Sequence, residues 1–173
     1  MTGIQIATAS SADAALLAGI GRQSFVESHG HSAAAEDIRA YMDRKLTPGA
    51  FAEELADPGN LFRIIRVNGE PAGYSKLIPG CGHPLIARPN VAKLERLYIL
   101  ERFLDRGLGT PLLHHNLSLA RELAQAGIWL FVWTENARAV RFYEKSGFRV
   151  IGQFDFPVSE RHSNPNHQMF LDL

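Results

Sequence analysis

The sequence predicts a single α/β domain built on a mixed sheet, and three stretches predict it. Ile128 to Val132 is a near-continuous apolar run, the pattern of a strand buried on both faces. Asn68-Gly69-Glu70-Pro71 lies between two apolar segments and signals a hairpin, because Asn-Gly accepts positive φ at both turn positions. Lys93 to Leu100 reads as a strand that feeds a glycine-bearing turn and opens a long helix. Antiparallel pairing at one end and a strand-turn-helix unit at the other imply a mixed sheet.

The elements follow in chain order. Ile4, Ile6 and Ala7 make a short first strand, with Ser10 or Ser11 as the N-cap of the next helix. Leu16, Leu17, Ile20 and Ser24 fall at helical spacing, although Gly19 and Gly21 lower propensity at its centre. A second helix spans about Glu36 to Leu46, and a third starts at Thr47-Pro48, an N-cap residue followed by proline. Asp57-Pro58-Gly59-Asn60 breaks the chain before the hairpin strands Leu61 to Val67 and Ala72 to Ile78. Pro79 to Asn90, rich in Gly and Pro, is an irregular loop. The long helix is predicted over Pro111 to Ala126, with Gly127 as its C-terminal stop. The helix written over Ala137 to Phe148 and closing strands Phe148 to Phe156 and His167 to Leu171 complete one domain over residues 1–173.

Composition bounds the function. At 173 residues with a 46% apolar share, the chain has material for one sizeable core. Lys plus Arg and Asp plus Glu are balanced at 18 each, which argues against a nucleic-acid partner held by a positive field. No run is long enough to span a membrane, and the N-terminus lacks a signal-peptide layout. The single cysteine, Cys81, forms no internal disulfide, so a cytoplasmic setting is expected.

Two motifs carry chemistry. The strand Lys93 to Leu100 is followed by Leu104-Asp105-Arg106-Gly107-Leu108-Gly109-Thr110-Pro111, and such a turn offers backbone N–H groups to an anion. The second runs from Asn136 through Ala139 and Tyr143 to Gly147 and Phe148. In frame and order these resemble the GCN5-related N-acetyltransferase family, whose turn reads Gln/Arg-x-x-Gly-x-Gly/Ala and whose later motif is Asn-x-x-Ala-x-x-x-Tyr-x-x-x-Gly-Phe. Leu104 departs from the Gln or Arg of that pattern; Arg102 or Arg106 could compensate. Ser24 to His31, with Glu36 to Met42, looks like the PaiA-type polyamine acetyltransferase branch.

The resemblance implies a mostly antiparallel sheet flanked by helices, with acetyl-CoA bound where two parallel strands splay apart. It implies co-substrate contacts from Leu97, Tyr98 and Ile99, from Leu104, Asp105, Arg106, Gly107, Leu108, Gly109 and Thr110, and from Asn136, Ala139 and Tyr143. A backbone N–H near Leu97 to Ile99 would hold the developing oxyanion. Tyr143 is the candidate acid for the departing thiolate, since phenol and thiol acidities differ little; a core aromatic is the plainer alternative. Asn136 fits an N-cap as well as the implied contact to the pantetheine arm or adenosine-side groups of CoA. Glu95 is the first candidate for the base, through a water, and Glu27 and His29 are runners-up; Phe25, Glu27 and His29 belong to a segment the family uses to wall the acceptor site.

No metal is expected: His29, His31, His162 and His167 come without paired cysteines or an HExxH pattern. A covalent role for Cys81 is disfavoured, since direct transfer needs no intermediate. The expected function is acetyl-CoA-dependent acetylation of a small primary amine, with a polyamine favoured and Glu27, Glu36 and Asp37 available to attract it. A protein N-terminal or lysine acetyltransferase and a non-catalytic acetyl-CoA-binding module are the alternatives. Whether the protein is a homodimer is left open.

Overall fold

The computed structural model describes residues 3–173. The chain runs β1 (Ile4–Thr8), α1 (Ala14–His29), α2 (Ala35–Lys45), α3 (Pro48–Ala56), β2 (Leu61–Val67), β3 (Glu70–Ile78), β4 (Val91–Ile99), α4 (Gly109–Glu122), β5 (Gly127–Trp133), α5 (Ala137–Lys145), β6 (Arg149–Pro157) and β7 (Ser163–Asp172). The seven strands form one sheet in the order β1-β2-β3-β4-β5-β7-β6. Only β4 and β5 run parallel; every other neighbouring pair is antiparallel.

Local chemistry explains the element ends. Ser10 and Asp13 form a reciprocal capping box before α1. Thr47 accepts the Ala50 N–H at 3.1 Å, with Pro48 in the first turn of α3. The hairpin turn has φ of 51° at Asn68 and 84° at Gly69, as an Asn-Gly turn requires. Strand β3 begins at Glu70, two residues before the expected Ala72, and the register shifts where Pro71 cannot donate to the ladder.

Helix α1 shows what one of its glycines does. A Cβ on Gly21 would meet the Phe51 ring at 3.1 Å and the Tyr74 hydroxyl at 3.3 Å, so glycine lets α1 lie close to α3 and β3. The core beneath α1 to α3 includes Leu17, Phe51, Phe62, Ile65 and Tyr74; that beneath α4 and α5 includes Leu77, Leu113, Ile128, Leu130 and Met169.

Two expectations need correction. The long helix ends at Glu122 rather than Ala126, and Gly127 is not its stop but the first residue of β5. Ala124 takes the left-handed cap position, with φ of 54°. The Gln125 N–H reaches the Ala120 carbonyl and the Ala124 N–H the Arg121 carbonyl, the paired bonds of a Schellman cap. Glycine is needed three residues later, where a Cβ would strike the Phe170 ring and the Leu171 carbonyl. The last strand starts at Ser163, four residues before the expected His167, and carries Pro165 within it.

Candidate active site

The parallel pair is short. Only Val91, Ala92 and Lys93 of β4 pair with Gly127, Ile128 and Trp129 of β5, although the strands continue to Ile99 and Trp133. Beyond Lys93 they diverge around a cavity of about 1070 Å³. The Leu100 N–H bonds the Ala72 carbonyl toward β3. Alternation along the strand therefore turns the Leu97 and Ile99 N–H groups toward the cleft. A buried peptide group without a partner is costly, so this edge fits a ligand that offers amide-like acceptors. A β-bulge inserts Glu95 between the pairs Leu77–Leu94 and Lys76–Arg96, which re-aims the side chains beside the cleft.

At the end of β4 the short turn Glu101–Phe103 leads to Asp105 and Gly107, with φ of 64° and 72°. Helix α4 opens at Gly109 behind Leu108, which offers no side-chain cap. The Gly109 and Thr110 N–H groups therefore have no acceptor inside the helix, and Pro111 has no N–H to offer. The two glycines do different work. Gly107 holds a left-handed backbone, whereas a Cβ on Gly109 would press at 3.3 Å on the Phe142 ring of α5. Leu104 sits in the cavity wall. Arg102 instead pairs with Glu70 at 2.7 Å and Arg106 lies over Phe103 at 5.2 Å. Beside the turn, the arginine that lines the cleft is Arg138, bound to Asp105 at 2.9 Å.

Helix α5 supplies Asn136, Ala139 and Tyr143. The Asn136 Oδ1 accepts the Ala139 N–H at 3.2 Å, which caps the helix and leaves its amide nitrogen for another partner. Tyr143 is fixed by the other end. The Phe148 N–H bonds the Tyr143 carbonyl and the Gly147 N–H bonds the Glu144 carbonyl, with Gly147 at φ of 95°. This is again a Schellman cap, whose customary apolar contact is the Phe148 ring against Tyr143 at 5.5 Å. The ring is 8% exposed and joins the cavity wall. Its hydroxyl makes no hydrogen bond among the described residues, and burial pushes the phenol above its usual value.

The facing wall comes from α1. Phe25 and Trp133 stack on the His29 ring at 5.0 and 5.5 Å. Ser28 Oγ lies 2.7 Å from both the Ser24 carbonyl and His29 Nδ1. The hydroxyl has one hydrogen, given to Ser24, so we assign the His29 Nδ1–H as donor and leave Nε2 unprotonated. Burial, with His31 adding to it, lowers the imidazole to about 4. Glu27 is committed to structure: its carboxylate accepts the Glu101 N–H at 2.8 Å and Gln23 at 2.9 Å. Glu36 is exposed and Asp37 faces Arg161 at 3.6 Å, so these acids do not converge with Glu27 into one anionic trap.

Glu95 lies deeper, on the same wall. Lys76 bridges it to Glu54, Arg96 binds Glu54 at 2.9 Å, and Lys93 stands 3.5 Å from Glu95. Burial raises the Glu95 carboxyl, but Lys76, Arg96 and Lys93 outweigh it and hold the group below its usual value. From β7, Asn164 and Asn166 line the cavity. Asn164 bonds Ser32 at 2.9 Å, whereas the buried Asn166 Oδ1 has no partner. Arg138, Lys76 and most of the cation cluster escaped sequence reasoning, because their partners lie far away along the chain. No group of three or more metal-capable side chains occurs among the described residues.

The model of the acetyltransferase (GNAT) family matches residues 24–148, which include both strands of the cleft, the glycine turn and Tyr143. The chain belongs to that family. It is 30% identical over 160 residues to an uncharacterized N-acetyltransferase of Lactobacillus delbrueckii subsp. lactis, covering 92% of each chain. Its fold matches the PaiA N-acetyltransferase of Thermoplasma acidophilum in complex with coenzyme A, with a TM-score of 0.79, 20% identity and 99% coverage of both chains. It also matches the ribosomal-protein-S18-alanine N-acetyltransferase of Escherichia coli, with a TM-score of 0.71 and 19% identity over 98% of this chain and 94% of that one. This GNAT protein is thus an acetyl-CoA-dependent N-acetyltransferase, and the open strand edge and glycine turn suit the co-substrate's amide arm and pyrophosphate.

Proposed function

We propose that the protein acetylates a primary amine of a small molecule by direct transfer, with Tyr143 as general acid. The observation that carries this reading is the unpartnered Tyr143 hydroxyl in the wall of the cleft formed by diverging β4 and β5. Bound acetyl-CoA supplies a thioester whose acyl carbon is open to attack by a neutral amine. The Leu97 and Ile99 N–H groups are aimed to stabilise charge on the acyl oxygen. The N–H groups near Gly107 to Thr110, with Arg138 beside them, hold the pyrophosphate, and Asn136 binds the amide arm.

As the C–N bond forms and the C–S bond breaks, Tyr143 gives its proton to the departing sulfur. Its raised pKa keeps it protonated through neutral pH. The same desolvation strengthens the thiolate as a base, so the two stay matched. The amine's surplus proton leaves through water beside Glu95. That carboxylate is too firmly held by lysines to be a strong base, so the free fraction of the amine sets the alkaline rise in rate. The N-terminal likeness makes a polyamine one acceptor to test.

Release of free thiol from acetyl-CoA should be measured against spermidine, spermine, amino acids, aminoglycosides and a peptide. Amine-dependent release with a small molecule is the expected result. Tight acetyl-CoA binding with no turnover on any amine would point to a sensing module instead.

A further inference from the structure

Resting on the acetyl-transfer reading, we propose that the acceptor is an amine that also carries a carboxylate, in the manner of an amino acid, and not a polycation. The cavity wall presents Lys76, Lys93 and Arg96 against the carboxylates of Glu54 and Glu95, and Lys45 lines the same cavity. Both carboxylates are already engaged: Glu54 binds Lys76 and Arg96, and Glu95 binds Lys76 with Lys93 nearby. Glu27, also in the wall, is held in place by the neutral donors of Glu101 and Gln23. The remaining acids of the wall, Glu101, Asp105 and Glu135, belong to or flank the glycine turn and α5, and Asp105 is bound to Arg138. Within the Glu54–Glu95 cluster no carboxylate is left to receive a second ammonium.

Cations are left over instead. Lys45, in the last turn of α2, lines the cavity and forms no ion pair among the described residues. Lys93 is held only loosely by Glu95, at 3.5 Å, and lies over the Trp129 and Phe131 rings at 5.0 and 5.1 Å. Those ring faces are therefore filled by the protein's own cation and are closed to a cationic ligand. An anion beside the half-buried Lys93 would meet this surplus in a partly desolvated setting, where charge pairing is strong.

The test uses acetyl-CoA-loaded protein and matched pairs: alanine with alaninamide, 4-aminobutyrate with 4-aminobutyramide, and spermidine as the polycation. Rates are compared per free amine. At least one carboxylate member should exceed its amide tenfold or more in kcat/KM, and spermidine should be poorer still. Lys93→Gln and Lys45→Gln should each cut the carboxylate-to-amide ratio severalfold; Lys45 is exposed, so its variant keeps the test open if Lys93→Gln misfolds. Preference for spermidine or an amide, or a ratio indifferent to both substitutions, overturns the proposal while acetyl transfer stands. If no amine is turned over here or in the wider panel above, the small-molecule reading itself falls. Calorimetric binding of 4-aminobutyrate to the CoA-bound protein then decides the subsite: binding weakened by Lys45→Gln supports it, and no binding overturns it.

Discussion

Replacing Tyr143 by Phe removes one oxygen and leaves the rest of the site in place. The ring keeps its edge contacts with Phe142 and Phe148, at 5.2 and 5.5 Å, and the Schellman cap that fixes it is made by backbone atoms. The hydroxyl has no hydrogen-bond partner to lose, so stability should lie between unchanged and about 1 kcal/mol higher. Turnover is another matter. Without the acid the thiolate must leave unprotonated or wait for water, and kcat should fall about 10²- to 10⁴-fold, or roughly 2.7 to 5.5 kcal/mol of barrier. Affinity for acetyl-CoA should change little, because the hydroxyl acts as negative charge forms on sulfur. Thiol release under saturating substrates, with a pre-steady-state trace to show that chemistry limits the rate, measures the effect; calorimetry and a melting curve supply the controls. A mutant with kcat within twofold of the parent would refute the acid role and leave solvent as the proton source.

Two further outcomes follow from the packing. His29 has a folded pKa of about 4 against an ordinary 6.5, so the unfolded chain binds more protons between those values. Stability contributed by His29 is therefore full above about pH 6.5 and falls toward pH 4, by up to about 3 kcal/mol; urea titrations of the parent and His29→Gln should differ in slope across that window, and equal slopes would contradict the burial argument. Ala124 holds a left-handed cap at φ of 54°, so Ala124→Gly should stabilise the protein by about 1 kcal/mol, read as a higher melting temperature with activity retained. A lower melting temperature would show that the cap is not strained.

What the sequence reveals and what it hides divide on physical lines. The hairpin, the α3 and α5 caps and the glycine turn rest on contacts between near neighbours, and Asn68-Gly69, Thr47-Pro48 and Asn136 write them locally. Gly127 misled because one residue type answers two needs: a helix cap is local, whereas close approach to Phe170 depends on a strand far along the chain. The early half of β7 stayed hidden because Asn164, Pro165 and Asn166 look like a loop; the two asparagines are polar because they face a cavity, not solvent. Arg138 is an ordinary helix residue until the fold brings Asp105 beside it, 33 positions away. The residues proposed to bind the co-substrate thus sit in readable motifs, while those proposed to face the acceptor are scattered along the chain.

The short ladder between β4 and β5 has a mechanical meaning. Three rungs are the whole seam between a four-stranded half, β1 to β4, and a three-stranded half made of β5, β7 and β6. Past that seam, the hydrogen bonds that would zip the halves together must come from whatever lies in the gap. On the binding mode proposed above, the co-substrate is a removable piece of the sheet that joins the two halves where the chain does not. Each catalytic cycle would then withdraw that piece and replace it, stiffening the reacting centre while the thioester is in place.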